Sequence, residues 1–149
     1  MSSTPKVTEV RLSRDCRFMY ENFVLATQND LFLFLERNGD TVQVLKFSFI
    51  TFKYGAPNDE ARGGHPLSKF GLGYYGIYYV EESPWIRELM AANRVHPRHS
   101  DAAYSGQKHY VVCFKDVTLD VVCTEMQEMQ ISVAEIEALV AQQVAFLEA

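Results

Sequence analysis

The residues best suited to chemistry in this sequence lie in one segment, residues 55–67, with the sequence GAPNDEARGGHPL. The segment places His65 close to Asp59 and Glu60, and a histidine oriented by a carboxylate is the usual arrangement for general acid–base catalysis near neutral pH. In the alternative interpretation, the two acids and Asn58 cap turns, and the histidine donates one hydrogen bond that holds the loop. The glycines and prolines predict a loop of defined shape rather than a helix or a paired strand.

A second histidine–carboxylate pair is predicted across a hairpin. Residues 109–114 and 117–124 are apolar runs that predict two strands joined by a tight turn. If the turn lies at Lys115-Asp116, Val111 faces Asp120 across the hairpin. His109 is then a diagonal neighbour of Asp120, close enough for the two polar side chains to meet. Aspartate is depleted in strands, so this sheet face either is solvated or lines a polar pocket.

Aromatic side chains follow the loop and are able to wall a ligand pocket. Tyrosines at positions 74, 75, 78 and 79 precede the only tryptophan of the chain, Trp85. In the alternative interpretation these rings are packing between sheet and helix. The predicted ligand-binding residues, drawn from the loop, the aromatic block and the hairpin, are Asn58, Arg62, Tyr75, Trp85 and Thr118.

Other chemistries have weaker signals. His96 and His99 have the spacing of a chelating pair that Asp101 would extend, but a metal site needs three or four ligands and these histidines do not have the helical spacing of a zinc protease. Cys113 needs a lowered pKa to be a nucleophile, which His109 is positioned to supply; otherwise it is a buried small side chain. The chain contains neither a Gly-x-Ser-x-Gly elbow nor a phosphate-binding Walker loop. No cofactor or metal is predicted.

The elements that would position these residues are mostly strands. Residues 17–26 and 31–36 predict two strands, and the Asn38-Gly39 dipeptide predicts a hairpin because both central residues of a type I′ turn need a positive φ. A long strand or two is predicted over 41–54, which makes the first third of the chain an antiparallel meander. A further short strand is predicted over 77–80.

Two helices complete the prediction. Ser83 followed by proline predicts a helix start, and an apolar stripe continues it to about residue 94. Ser132 with Glu135 forms a capping box that predicts an amphipathic C-terminal helix over 133–148. The predicted fold class is α+β, mainly antiparallel sheet with two or more hairpins, a short central helix and the C-terminal helix.

Composition limits the classes of function. The 149 residues predict a single domain over 1–149, and values of 48% hydrophobic and 22% charged residues are those of a globular protein. A net charge of −5 argues against nucleic acid as a partner. The sequence predicts a soluble cytoplasmic protein for three reasons. Its three cysteines have no C-x-x-C spacing, its N-terminus has no apolar signal region, and it contains no apolar run of membrane length.

Several of these segments together resemble a family of small bacterial proteins of uncharacterised function. The shared pattern is GAPNDE from residue 55, then HPL, SPWI, HP, HY and a final aspartate, Asp116, over about residues 45–125. The family pattern has a histidine before that aspartate, where this chain has Lys115. The resemblance implies no activity, but it groups the loop, the helix start and the last hairpin as one unit.

The sequence therefore predicts a polar and aromatic cleft formed by residues 55–67, 95–107 and 109–123. The first hypothesis is a binding module for a small molecule or a protein partner. The alternative is a small enzyme in which His65 or His109 acts as base, oriented by Asp59, Glu60 or Asp120. A metal-binding protein is a third possibility, and antiparallel edges with exposed aromatic rings make a homodimer plausible.

Overall fold

A seven-stranded antiparallel sheet forms the centre of the protein in the computed structural model, which describes residues 4–19 and 21–148. The strands are β1 (Lys6–Val10), β2 (Phe23–Ala26), β3 (Asp30–Asn38), β4 (Thr41–Gly55), β5 (Gly76–Glu81), β6 (Lys108–Cys113) and β7 (Thr118–Ser132). Their order across the sheet is β1-β5-β6-β7-β4-β3-β2. Two α-helices, α1 (Pro84–Asn93) and α2 (Val133–Ala145), accompany the sheet. The predicted class, α+β with mainly antiparallel sheet, is confirmed.

Local turn chemistry explains the first meander, β2-β3-β4. The turn between β3 and β4 lies at Asn38–Thr41, where Gly39 has a φ of 63°, a left-handed value that glycine adopts without steric cost. The predicted hairpin is therefore confirmed. The predicted type I′ turn with Asn38 and Gly39 at its centre is wrong, because Asn38 pairs with Thr41, so that Gly39 and Asp40 are the central residues and only Gly39 has a positive φ. The predicted register of the second hairpin is also confirmed, because Val111 of β6 lies opposite Asp120 of β7.

Three strand predictions were wrong. The strand predicted over 17–26 begins only at Phe23, because Phe18 has a φ of 56° and turns its ring against Phe114; Tyr20 lies outside the described residues. The edge strand β1 was not predicted, and β7 continues to Ser132 rather than ending near 124. The second half of β7 is polar, and its pairing with the full length of β4 makes it a strand.

Both faces of the sheet carry apolar side chains. One face holds the largest cluster, which is composed of alternate residues of the central strands and includes Leu33, Leu45, Phe47, Val112 and Val121. Burying one such side chain stabilises the fold by about 1.5–3 kcal/mol. On the opposite face α2 packs on one half of the sheet, and a smaller cluster that includes Leu67 and Val111 joins the other half to the loop that follows β4.

Serine caps begin both helices. Ser83 Oγ accepts the Ile86 backbone N–H at 3.2 Å at the start of α1, with Pro84 in the first helical turn. Ser132 Oγ accepts the Glu135 N–H at 3.1 Å at the start of α2, and the Glu135 side chain accepts in return from the Ser132 N–H. Each cap contributes about 1 kcal/mol. Within the described part of the chain, neither helix has the length and apolar character needed to cross a membrane.

Candidate functional site

The β6–β7 hairpin places His109 and Asp120 in direct contact. Val111 and Asp120 are opposite each other in the ladder, so His109, two residues before Val111, lies diagonally on the same face. His109 Nε2 is 2.8 Å from Asp120 Oδ1. His109 is 2% exposed and the Asp120 side chain 14% exposed, so this face is a covered polar site rather than a solvated surface.

The loop after β4 brings a second histidine to the same carboxylate. Residues Asp59–Gly64 form a short 3-10 helix inside the predicted loop, and His65 directly follows it. His65 Nε2 lies 2.8 Å from Asp120 Oδ2. The two oxygens of Asp120 therefore each contact one imidazole, and the loop and hairpin meet at this residue.

The partners of the second nitrogen of each ring determine where the protons lie. The Leu67 backbone N–H donates to His65 Nδ1 at 3.0 Å, so the His65 proton is on Nε2 and points to Asp120. His109 Nδ1 lies 2.7 Å from Ser83 Oγ, which already accepts the Ile86 N–H. Because the Asp120 carboxylate accepts from Nε2, that nitrogen carries the proton, and we assign the Ser83 hydroxyl as donor to an unprotonated Nδ1, which makes His109, too, a ring that donates from Nε2.

These two donors keep Asp120 ionised. Burial raises the pKa of Asp120, but hydrogen bonds from His109 and His65 act in the opposite direction and outweigh it, so the pKa falls to about 2. Each carboxylate oxygen accepts one imidazole N–H and keeps lone-pair capacity for a second donor. Asp120 is thus an anion with a fixed position and remaining capacity to accept hydrogen bonds.

Arg62 fastens the loop to the hairpin turn. Its side chain, in a residue only 2% exposed, donates to the backbone oxygens of Phe114 at 2.5 Å and Val117 at 3.2 Å, and also to the Tyr74 oxygen. It also donates to Thr118 Oγ1, and the Thr118 hydroxyl in turn donates to the Pro57 oxygen at 2.7 Å. Arg62 and Thr118 were both predicted to bind a ligand, but these donors form hydrogen bonds within the protein.

A pocket of about 460 Å³ opens beside the two histidines and Asp120. Trp85, in the first turn of α1, forms one wall and meets His109 edge to face at a centroid distance of 5.4 Å. Lys53, which pairs with Asp120 across β4 and β7, has its Nζ 4.5 Å from the centre of the Trp85 ring. Glu88 also lines the pocket, one helical turn after Trp85.

The remaining predicted residues of the loop have other partners. Asn58 Oδ1 accepts the Ala61 N–H at 3.0 Å, which is the turn-capping alternative. Asp59 accepts the Tyr75 hydroxyl at 2.6 Å, a hydrogen bond that lowers the pKa of Asp59 and raises that of Tyr75. Glu60 is exposed. The carboxylate that contacts His65 is that of Asp120, so the structure brings neither acid of the loop to the histidine.

The segment 95–107 does not contribute to the pocket, which corrects the predicted three-part cleft. All of its residues are described, and none lines the cavity. It folds back on the end of α1 instead, where Asp101 pairs with Arg94 at 3.0 Å. Next to that pair, His99 Nδ1 is 2.9 Å from the Asn93 amide and His99 Nε2 contacts Asp101.

Metal binding and cysteine chemistry find no support in the part of the chain that the structure describes. No group of three or more histidine, cysteine or acidic residues among residues 4–19 and 21–148 is arranged to hold a metal ion. His96 Nδ1 accepts the Arg98 N–H, while the ring nitrogens of His99 contact Asn93 and Asp101. Burial raises the pKa of Cys113 to about 12, which keeps it a thiol.

Three residues of the site were not predicted as functional. Ser83 was identified only as a helix cap, and its contact with His109 has no local sequence signal. Lys53 lies opposite Asp120 in the ladder of β4 and β7, so the two side chains are on the same face of the sheet. The sequence does not predict that β4 pairs with β7, and Lys53 was therefore missed. Glu88 follows from Trp85 by helical spacing, three residues on the same face of α1.

Comparisons with known proteins returned no match: no protein-family model, no curated protein and no solved structure is similar to this chain. The resemblance to the family of uncharacterised bacterial proteins stays a prediction.

Proposed function

We propose that this protein is a binding module that holds a small molecule in the pocket between Trp85, Lys53 and Asp120. The observation that carries the proposal is the hydrogen-bond arrangement at Asp120. Both nitrogens of His65 and both nitrogens of His109 have partners within the protein, while the carboxylate between them keeps acceptor capacity beside a cavity.

The pocket has the character of a ligand site. Apolar groups from Pro57, Leu67 and the Trp85 ring supply most of the wall, and a small number of polar groups converge on one end. Its volume of about 460 Å³ lies within the range of small-molecule pockets, roughly 300–1,000 Å³. Asp120 supplies orientation, because its carboxylate has no freedom to rotate between the two imidazole donors.

The test is a fragment screen by ligand-observed NMR, followed by titration of each hit while Trp85 fluorescence is recorded. Trp85 is the only tryptophan of the chain, so its emission reports on the pocket directly. We expect hits that quench or shift this emission and lose at least ten-fold in affinity in Asp120→Asn. The matched control is Asp101→Asn, which alters another aspartate bonded to a histidine, outside the pocket. If no fragment perturbs Trp85, or if both variants behave alike, the proposed function is wrong.

A small acid–base enzyme is the second candidate, favoured by the 2.8 Å contacts of both histidines with Asp120. In this candidate, a bound molecule would exchange a proton with a ring nitrogen after Leu67 or Ser83 releases it. Nitrogen NMR of the histidine rings separates the two proposals. A ligand that moves a ring proton supports the enzyme, and rings that keep the proton on Nε2 in the complex support the binding module.

The wider setting is also part of the proposal. Cysteine usage and the resemblance described above favour a cytoplasmic location in a bacterium, and antiparallel edges with exposed aromatic rings favour a homodimer. A protein partner is the alternative to a small molecule for the same binding module. Sedimentation of the purified protein tests the homodimer: a single species of about 17 kDa would contradict it.

A further inference from the structure

We propose that the ligand of this pocket carries an ammonium group that takes the place of the Lys53 ammonium over Trp85 and donates a hydrogen bond to Asp120. This proposal rests on the proposed function and adds the chemical class of the ligand: a small organic amine with an apolar or aromatic body.

The Trp85 ring already holds a cation. Lys53 Nζ stands 4.5 Å from the ring centre, inside the roughly 6 Å range in which the negative face of an aromatic ring attracts a positive charge. Lys53 is itself exposed between partly buried neighbours in β4, and its ammonium is carried on a flexible four-carbon stem. A ligand cation therefore finds a formed aromatic face whose present occupant is able to leave.

The pocket has more negative than positive charge. Apart from the two histidines, its charged lining residues are Asp120, Glu88 and Lys53, which are two carboxylates and one ammonium. The chain as a whole carries −5, which attracts cations over a longer range. An ammonium between Trp85 and Asp120 would meet both a ring face and a carboxylate that still accepts hydrogen bonds.

An anionic ligand is the alternative that Lys53 suggests, but the site does not favour it. Both imidazole N–H groups that point into this region donate to Asp120 and are unavailable to an anion. A carboxylate or phosphate would then depend on the Lys53 ammonium alone, next to the fixed negative charges of Asp120 and Glu88. Two carboxylates would therefore repel the anion, and only one ammonium would attract it.

The experiment compares three probes with one phenyl ring and different end groups: phenethylamine, phenethyl alcohol and 3-phenylpropionate. Each is titrated into the 149-residue protein at pH 7 while Trp85 emission is followed. We expect phenethylamine to bind at least ten-fold more tightly than the other two. Glu88→Gln, which removes one carboxylate without altering the Asp120 contacts, should weaken the amine roughly three-fold.

Lys53→Met gives the sharpest prediction, because it removes the competing cation and keeps the apolar stem. We expect it to strengthen phenethylamine binding roughly three- to ten-fold and to weaken 3-phenylpropionate. Lys46→Met is the matched control: Lys46 lies on the same strand and also stands over a ring, that of Phe32 at 5.7 Å, away from the pocket. It should leave the binding of all three probes unchanged.

The outcomes separate this inference from the proposed function. If the alcohol or the carboxylate binds as tightly as the amine, or if Lys53→Met weakens the amine, the ligand class is wrong while the pocket still binds small molecules. If none of the probes and none of the screened fragments perturbs Trp85, both proposals fall. A short lysine-containing peptide is titrated in parallel, and tighter binding of the peptide than of phenethylamine would overturn the small amine in favour of a protein side chain.

Discussion

His65 Nε2 donates to Asp120 Oδ2 over 2.8 Å, although the two residues are 55 positions apart in the chain. This contact joins the loop after β4 to the β6–β7 hairpin. Because His109 occupies the other oxygen of the same carboxylate, the position of Asp120 depends on both segments at once. The site is therefore complete only when the loop is docked on the hairpin.

Asp120→Asn should destabilise the protein even though it preserves the shape of the side chain. The asparagine amide would present an NH₂ group to one of the two imidazole N–H donors, and that ring would have to change its tautomer and lose its bond to Leu67 or Ser83. We expect a loss of about 1–3 kcal/mol in the free energy of unfolding, measured by urea denaturation. In the matched variant Asp101→Asn the loss should be below about 1 kcal/mol, because the Asp101 side chain is 55% exposed. Equal losses would contradict the special position of Asp120.

Acid should lower the free energy of unfolding, because Asp120 becomes protonated. Its pKa in the folded protein is about 2, below the ordinary value of 3.8, so the unfolded chain binds the proton first as the pH falls. The stabilisation is complete above about pH 5 and is lost progressively as the pH falls from near 4 to near 2, by about 2 kcal/mol in total. Urea denaturation at several pH values measures this change. In Asp120→Asn the dependence over this interval should be flatter, and an unchanged slope would contradict the assignment.

Arg62→Met should loosen the loop from the hairpin. Methionine keeps much of the buried volume but leaves the carbonyl oxygens of Phe114 and Val117 without their charged donor. We expect a loss of about 3 kcal/mol in the free energy of unfolding. Amide hydrogen exchange should also accelerate in residues 57–67. Arg98→Met, at an exposed site, is the control and should change neither quantity; slow exchange in the Arg62 variant would show that other contacts hold the loop.

Ser83→Ala should have one effect, on His109, that the equivalent change at the second helix lacks. Both Ser83 and Ser132 cap a helix, and substitution of either by alanine lowers the free energy of unfolding by about 1 kcal/mol. Only Ser83 also contacts His109 Nδ1. We expect nitrogen NMR to show that the unprotonated Nδ1 of His109 loses its hydrogen bond in Ser83→Ala while the proton stays on Nε2, and to show no change in Ser132→Ala. A proton found on Nδ1 of His109 in the unsubstituted protein would refute the assigned direction of the Ser83 hydroxyl.

Much of the sheet could be predicted because its signals are local. Alternating side chains in 109–113 and 118–123, with a short turn between them, fix the opposition of Val111 and Asp120 and thus the diagonal contact of His109. Gly39 fixes the first hairpin through its backbone conformation. Where the local pattern is weak, as in β1 and the polar second half of β7, pairing with a neighbouring strand determined the structure and the sequence prediction failed.

The candidate site, like the sheet, was predicted where its signals are local and missed where distant segments meet. The sequence by itself determined that loop 55–67 carries a histidine and that the hairpin presents an aspartate on a polar face, since both follow from residue types and short spacings. Only the tertiary structure decided that these two meet, that Asp59 turns to Tyr75 instead, and that residues 95–107 lie elsewhere. The physical reason is that the loop docks through Arg62 onto backbone oxygens, which every sequence offers and which leave no trace in the pattern of side chains.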